Sequence, residues 1–241
     1  MRQKVQKAKK LIKDTLKKYP NTAVACSFGK DSIVTVHLAQ EIDKNIPVFS
    51  IMTMYKPKDT FKYLVKMKKE MNINLKVFYV GEKPPFKLQR NNINVILLDP
   101  TQFKEKERET LKKTDKNLYD INPDECCKML KVEPTRIALK DLECWICGLR
   151  NTEGRTRKGF QEIEKRGNLI KLNPILSWTE ADVWRYMAIN KIEHHPWYEL
   201  GYRSLGCAPC SNPGGVLERD GRWKGTSKCG GECGIHTQIL G

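Results

Sequence analysis

The apolar positions of the chain fall into short runs separated by amphipathic stretches. Val5, Ala8, Leu11, Ile12 and Leu16 recur at helical spacing and predict an N-terminal amphipathic helix over residues 1–20. Thr22–Cys26 reads as a short strand, followed by a turn and then by helical spacing of Val34, Leu38 and Ala39 within Ile33–Ile42. Pro47–Thr53 predicts a second strand, Asp59–Met71 a second helix, Leu75–Val80 a third strand and Asn94–Leu98 a fourth. Strands alternating with helices argue for an α/β fold with a doubly wound parallel sheet covered on both faces. Beyond it, Thr101–Leu118 is highly charged and predicts a surface helix or mobile segment, and Pro123-Asp124 starts a helix running to Leu139. Leu142–Cys147 and Leu169–Leu172 are further strand candidates. Thr179 with Asp182 makes a capping-box-like start for a helix through Val183, Trp184, Tyr186 and Met187, with Ser177 as the alternative cap. The organisation expected is therefore the helix, a nucleotide-binding α/β domain over residues 21–200, and a Cys-rich segment over 201–241.

Charge and composition narrow the partners. The chain has 241 residues and carries 44 Lys and Arg against 28 Asp and Glu, a formal charge of +16. Such a balance reads either as a solvated lysine-rich surface or as a match for a polyanion, a phosphorylated small molecule or nucleic acid. No apolar run approaches the ~18 residues of a membrane span. The basic N-terminus lacks a continuous apolar stretch and a cleavage site, so the expected location is the cytoplasm. Nine cysteines there point to metal ligation or thiol chemistry, not to a disulfide framework.

Two features carry chemistry. The turn Ser27-Phe28-Gly29-Lys30-Asp31-Ser32 joins a strand to a helix, so backbone N–H groups, a helix start and Lys30 all face one place, as an anion requires. The triphosphatase spacing GxxxxGK[ST] is missing. The turn resembles instead the PP-loop of the adenine nucleotide α-hydrolase superfamily, Ser-Gly-Gly-x-Asp-Ser, with Phe28 at the first glycine. The second feature is Cys126-Cys127 with Cys207-Ala-Pro-Cys210, four thiols from two segments able to wrap a tetrahedral zinc or a cubane cluster.

The blocks around these cysteines are Cys126-Cys127-Lys128-Met129-Leu130-Lys131, Trp145-Ile146-Cys147-Gly148-Leu149-Arg150, Asn173-Pro174-Ile175-Leu176-Ser177-Trp178, Gly201-Tyr202-Arg203-Ser204-Leu205-Gly206-Cys207, Gly221-Arg222-Trp223 and Glu232-Cys233-Gly234-Ile235-His236. In this order they resemble the sulfonucleotide reductases, the APS and PAPS reductase family. The resemblance implies a 4Fe–4S cluster held by Cys126, Cys127, Cys207 and Cys210, acting structurally and electrostatically, and Cys233 as the catalytic nucleophile. It further implies that Lys128 links cluster and substrate sulfate, and that the basic loop with Arg150, Arg155 and Arg157 closes over the nucleotide. Thioredoxin or a glutaredoxin-like dithiol protein is the implied reductant, and a homodimer the implied assembly. Chemically, a thiolate attacks sulfur bearing a nucleotide phosphate as leaving group, and a second thiol then releases sulfite. Neighbouring positive charge, from Lys128, the arginines and His236, lowers the thiol pKa. Gly230, Gly231 and Gly234 suggest a tail that can swing to a reductant.

One departure bears on the substrate. The family's Leu-Asp-Thr-Gly segment is here Ile51-Met52-Thr53-Met54, and the lost carboxylate together with the basic balance tilts the expectation to PAPS, with APS as the alternative. A PP-loop nucleotidyltransferase, like the small subunit of ATP sulfurylase, is the alternative enzyme, with Lys30-Asp31-Ser32 for it and the Glu-Cys-Gly-Ile-His tail against it; a zinc-bound nucleic-acid-binding module is a rival of another class, against which the agreement of so many blocks speaks. Of the remaining cysteines, Cys26, Cys144 and Cys147 read as core, whereas Cys229 is either a spare loop thiol or a partner for Cys233. His37, His194 and His195 are assigned no role.

Overall fold

The computed structural model describes residues 1–239. Among them, helix α1 (Arg2–Lys18) leads into β1 (Thr22–Ala25), α2 (Lys30–Gln40), β2 (Val48–Thr53), α3 (Lys58–Glu70) and β3 (Leu75–Val80). There follow α4 (Phe86–Arg90), β4 (Asn94–Leu98), α5 (Thr101–Thr114), α6 (Leu118–Ile121) and α7 (Pro123–Cys127). A π-helical turn, Lys128–Val132, passes straight into α8 (Glu133–Leu139). Then come β5 (Cys144–Ile146), β6 (Ile163–Arg166), β7 (Leu169–Leu172), α9 (Glu180–Ile189) and the short α10 (Gly234–Thr237). No helix among the described residues is long and apolar enough to cross a membrane.

The seven strands described form one sheet in the order β4-β3-β2-β1-β5-β7-β6, parallel except for β6. The α/β, doubly wound reading of the sequence is therefore the observed fold. Period-two alternation sends side chains to two cores. Val24, Val48, Val77, Cys144 and Ile146 point into the larger one, under α1, α2, α3 and α9. Ala23, Phe49, Phe78 and Trp145 point to the other, closed by Leu139 of α8 and by Ile235 of the tail. Burying the larger core outweighs the modest propensities of these short elements, at ~25 cal/mol per Å² of apolar surface. Helix α1 docks through Ala8, Ile12 and Thr15, one face at i, i+4 and i+7.

Strand β6 was not foreseen. It pairs antiparallel with β7 through a two-residue Gly167-Asn168 turn, with Gly167 at φ 57°. That glycine-containing dipeptide is a hairpin signal, masked because Gln161–Arg166 is mostly charged. Strand β1 has β2 on one side and β5 on the other, so the chain switches direction across it. In open α/β sheets such a switch point opens a crevice at the carboxyl ends of the strands.

Candidate active site

The turn after β1 lies at that crevice. Helix α2 begins at Lys30, three residues earlier than the spacing of its apolar residues indicates, so Lys30, Asp31 and Ser32 form its first turn. Phe28 is the exception among the proposed ligand-binding residues. Its backbone takes φ 61°, a left-handed conformation natural to glycine, and its side chain is buried edge-on to Tyr63, away from the crevice. Burial of the ring offsets the backbone strain, which is why a phenylalanine stands there. Gly148, in the loop after β5, passes so close that a Cβ would lie 2.6 Å from the Asp31 carbonyl oxygen. Only a residue without a side chain lets the two segments meet.

The polar groups of the turn are already engaged. The Lys30 backbone N–H donates to the Tyr198 hydroxyl (2.8 Å), and Nζ donates to the Arg203 carbonyl and to Glu218 Oε2, both at 2.9 Å. Burial by itself would depress the Lys30 pKa, but Asp31, Tyr198 and Glu218 raise it, so the ammonium is firmly charged. Ser32 Oγ donates to the Gly29 carbonyl and contacts Ser27 Oγ at 3.3 Å. Arg150 is fully buried behind the turn, with Nε on Asp31 Oδ1 and one terminal nitrogen on Glu218 Oε2, both 2.5 Å. Lys30 and Arg150 are thus matched by carboxylates.

A cavity of about 190 Å³ extends from the turn, lined by Ser27, Gly29, Lys30, Asp31 and Ser32 at one end and by Cys233 and His236 at the other. Arg157 lines it and is held by Glu153 and Glu232, while Arg219 joins the same two carboxylates and donates to the Gly231 carbonyl. Arg155 is exposed and lies outside the cavity, so of the basic loop only Arg157 faces it. Lys128 is likewise exposed, and the cation at its expected place is Lys131. The reason is helical geometry: four residues on from Cys127 the chain has come round to the same side, so Lys131 follows Cys127 inward, while Lys128, the next residue along, is turned away. Lys131, Lys56 and Arg222 line the cavity and make no ion pair with a carboxylate among the described residues. His236 stacks on Trp145 (centroids 6.2 Å). Burial drops its pKa to about 3, so it is neutral and does not supply the positive charge expected of it. A hydrogen bond with Cys127 and the Lys131 charge hold the Cys233 thiol well below its ordinary range, against the effect of burial.

Cys126, Cys127, Cys207 and Cys210 are all buried free thiols and line a single small void with Tyr55, Tyr119, Leu130 and Lys131. The Ala208 N–H donates to the Tyr55 carbonyl (2.8 Å), and Thr53 Oγ1 lies 3.3 Å from Cys207 Sγ, which fixes the second pair against β2. Among the described residues, no three of His, Cys, Asp or Glu are close enough to hold a single metal ion; the four sulfurs ring the void instead. Cys144 and Cys147 point into the two opposite cores, and Cys147 Sγ donates to Asn173 Oδ1 (2.9 Å). Cys26 is buried, and burial pushes its thiol up to about 11. Cys229 is exposed.

Sequence reading passed over Lys131, Lys56, Tyr198, Glu218, Arg219 and Arg222. The i, i+4 step from Cys127 marks Lys131, and Arg222 stood within a quoted block without being assigned. Nothing local marks Glu218 or Tyr198, which reach the turn only through tertiary folding.

The chain is similar to known proteins in sequence and in fold. Residues 21–92 and 86–213 match the phosphoadenosine phosphosulfate reductase domain. Adenosine 5′-phosphosulfate reductase 1 of Bacillus subtilis is 32% identical over 216 residues, 88% of this chain and 82% of that protein. A Bacillus cereus adenosine 5′-phosphosulfate reductase is 32% identical over 227 residues, 92% of this chain and 87% of its own. In fold, the chain resembles the phosphoadenylyl-sulfate reductase of Candida auris, with TM-score 0.63 and 20% identity over 84% of this chain and 88% of that one. A sheet with the order and crevice described, a PP-type turn and this domain match lead to one statement: the chain belongs to the phosphoadenosine phosphosulfate reductase family of oxidoreductases.

Proposed function

We propose that the protein reduces adenosine 5′-phosphosulfate to sulfite and AMP, with Cys233 as nucleophile. The observation that carries this reading is the position of Cys233 in the cavity wall together with three cations, Lys131, Lys56 and Arg222, that pair with no carboxylate among the described residues. The phosphosulfate lies at that end of the cavity. The Cys233 thiolate attacks its sulfur, a sulfur–sulfur bond forms, and the sulfur–oxygen bond to the phosphate breaks to release AMP. Lys131 and Arg222 stabilise the charge that develops on the leaving phosphate oxygen. A thiolate of a dithiol protein, thioredoxin or glutaredoxin-like, then attacks Cys233 Sγ and displaces sulfite. Its second thiol reduces the mixed disulfide, so the two electrons come from that dithiol. The glycines of the tail, Gly230 at φ 67° among them, let Cys233 move between the two partners.

The donor set around the void suits a 4Fe–4S cluster, since each iron of a cubane takes one thiolate at its own corner. Cys126, Cys127, Cys207 and Cys210 would hold it, and it would supply a structural tie and an electrostatic field. The nine free thiols suit a reducing compartment such as the cytoplasm. A homodimer remains the proposed assembly.

APS is preferred here over PAPS. The relatives at 32% identity bear the APS name, and the cations of the turn are already matched by carboxylates, leaving little there for an additional 3′-phosphate. PAPS is the second reading, favoured by the net charge of +16. The test is sulfite release from each nucleotide by reduced, anaerobic protein with a dithiol protein. APS is expected to turn over faster, and Cys233→Ser to abolish turnover while binding persists. Faster turnover of PAPS overturns the substrate, and an active Cys233→Ser protein overturns the mechanism.

A further inference from the structure

The turn after β1 has the shape of an anion site but not its charge. Lys30 is 1% exposed, and its ammonium lies 2.9 Å from Glu218, 3.6 Å from Asp31 and 3.7 Å from Glu180. Arg150 shares Glu218 Oε2 and holds Asp31, while Arg203 pairs with Glu180 at 2.5 Å. The three cations, Lys30, Arg150 and Arg203, are thus balanced by three carboxylates, Asp31, Glu180 and Glu218. The free backbone N–H of Lys30 is taken as well, by the Tyr198 hydroxyl. Glu218 is the one carboxylate of the three that comes from the distant C-terminal segment, and it touches both Lys30 and Arg150.

We propose that Glu218 acts as an internal anion that occupies the phosphate-type turn and so sets the protein's specificity against pyrophosphate and nucleoside triphosphates. A carboxylate bridging two buried cations forms the charge-assisted contacts that a phosphate oxygen would otherwise make. A pyrophosphate arriving here must displace it, leave a buried carboxylate without its partners, and face Asp31 and Glu180. The turn then serves to position the backbone next to the cavity, and the phosphosulfate is left to the cations around Cys233. This inference goes beyond the reductase reading and does not depend on it, because its readout is the binding of an inorganic ion.

Calorimetric titration of inorganic pyrophosphate into the full chain tests it. Glu218→Ala is expected to bind pyrophosphate at least about tenfold more tightly than the unaltered protein. Adding Lys30→Met to that variant is expected to remove the gain, which locates the new site at the turn. Glu218→Gln keeps the shape and loses the charge, so it should gain affinity in the same direction and covers the case in which the alanine chain does not fold. In the unaltered protein, any rise in melting temperature that pyrophosphate brings, through the cations around Cys233, should persist in Lys30→Met. A rise that Lys30→Met removes overturns the proposal, and so does a folded Glu218→Gln chain whose affinity has not changed.

Discussion

The Lys131 side chain borders both the cavity and the cysteine-lined void, and it is buried there without a carboxylate partner among the described residues. Burial would weaken its charge, yet Cys207, Cys233 and Cys127 around it raise its pKa and keep it cationic. On the proposed mechanism, a fixed positive charge beside Cys233 does most where the leaving phosphate gathers charge, so its loss should appear in kcat. Lys131→Met is expected to lower kcat for sulfite release by about 10²-fold, in the range seen when one stabilising donor is removed. Lys128→Met, on the exposed face, should change kcat by less than about twofold, as is usual for a surface substitution. Equal losses in the two variants would return the role to Lys128. The residue scale was only partly legible in the sequence. The cysteines announce themselves by spacing, whereas the direction in which a lysine points depends on its place around a helix. His236 shows the same limit, because its stacking on Trp145 and its neutrality are consequences of burial that no motif reveals.

Among the elements, α9 was the most readable. Thr179 accepts from the Asp182 N–H, and the Asp182 carboxylate accepts in return from the Thr179 N–H at 2.8 Å, closing the capping box. Thr179→Ala should cost about 1 kcal/mol of stability by removing one side of this exchange, measurable in urea unfolding. No change in the midpoint would show that α9 is held by packing alone. The parallel strands were legible for a related reason: strands buried on both faces read as near-continuous apolar runs. Strand β6 escaped because it is an edge strand with one partner and few apolar residues, so its pattern lacks that signal. The start of α2 was misplaced because Lys30 and Asp31 are polar, although the helix begins with them. In the C-terminal segment the chemistry was readable and the path of the chain was not, since its turns follow charges contributed by other segments.

At the scale of the whole molecule, two buried histidines and a buried glutamate make stability fall as the pH is lowered. His195 and His236 are lowered by burial to about 4 and about 3, and the arginines around Glu153 bring it to about 2 although burial opposes them. Each of these groups binds a proton more weakly in the folded state than in the unfolded one. Their contribution is therefore fully present above the unfolded values, ~6.5 for His and ~4.3 for Glu, and is lost as pH falls toward the folded values. The melting temperature is expected to be level near neutrality, to decline below about pH 6.5 as the histidines are drawn to protonate, and to fall more steeply below about pH 4.3. A melting temperature unchanged between pH 7 and pH 4 would contradict this.

Glu232 is the immediate neighbour of Cys233 and, with Glu153, Arg157 and Arg219, ties the end of the chain to the loop after β5. If Cys233 is the nucleophile proposed above, those four charges are a latch on it, and opening the latch sets a pace of its own for the exchange with a dithiol protein. All four side chains are buried, so added salt screens the latch little, and a substitution within it is the direct way to loosen it. On the proposed mechanism, discharge of the sulfonated enzyme by a small thiol such as dithiothreitol, uncharged at neutral pH, should therefore quicken in Glu232→Gln. Transfer from nucleotide to Cys233, measured as AMP released in a single turnover, should slow in the same variant. The same four side chains would then trade speed in one half of the cycle for speed in the other.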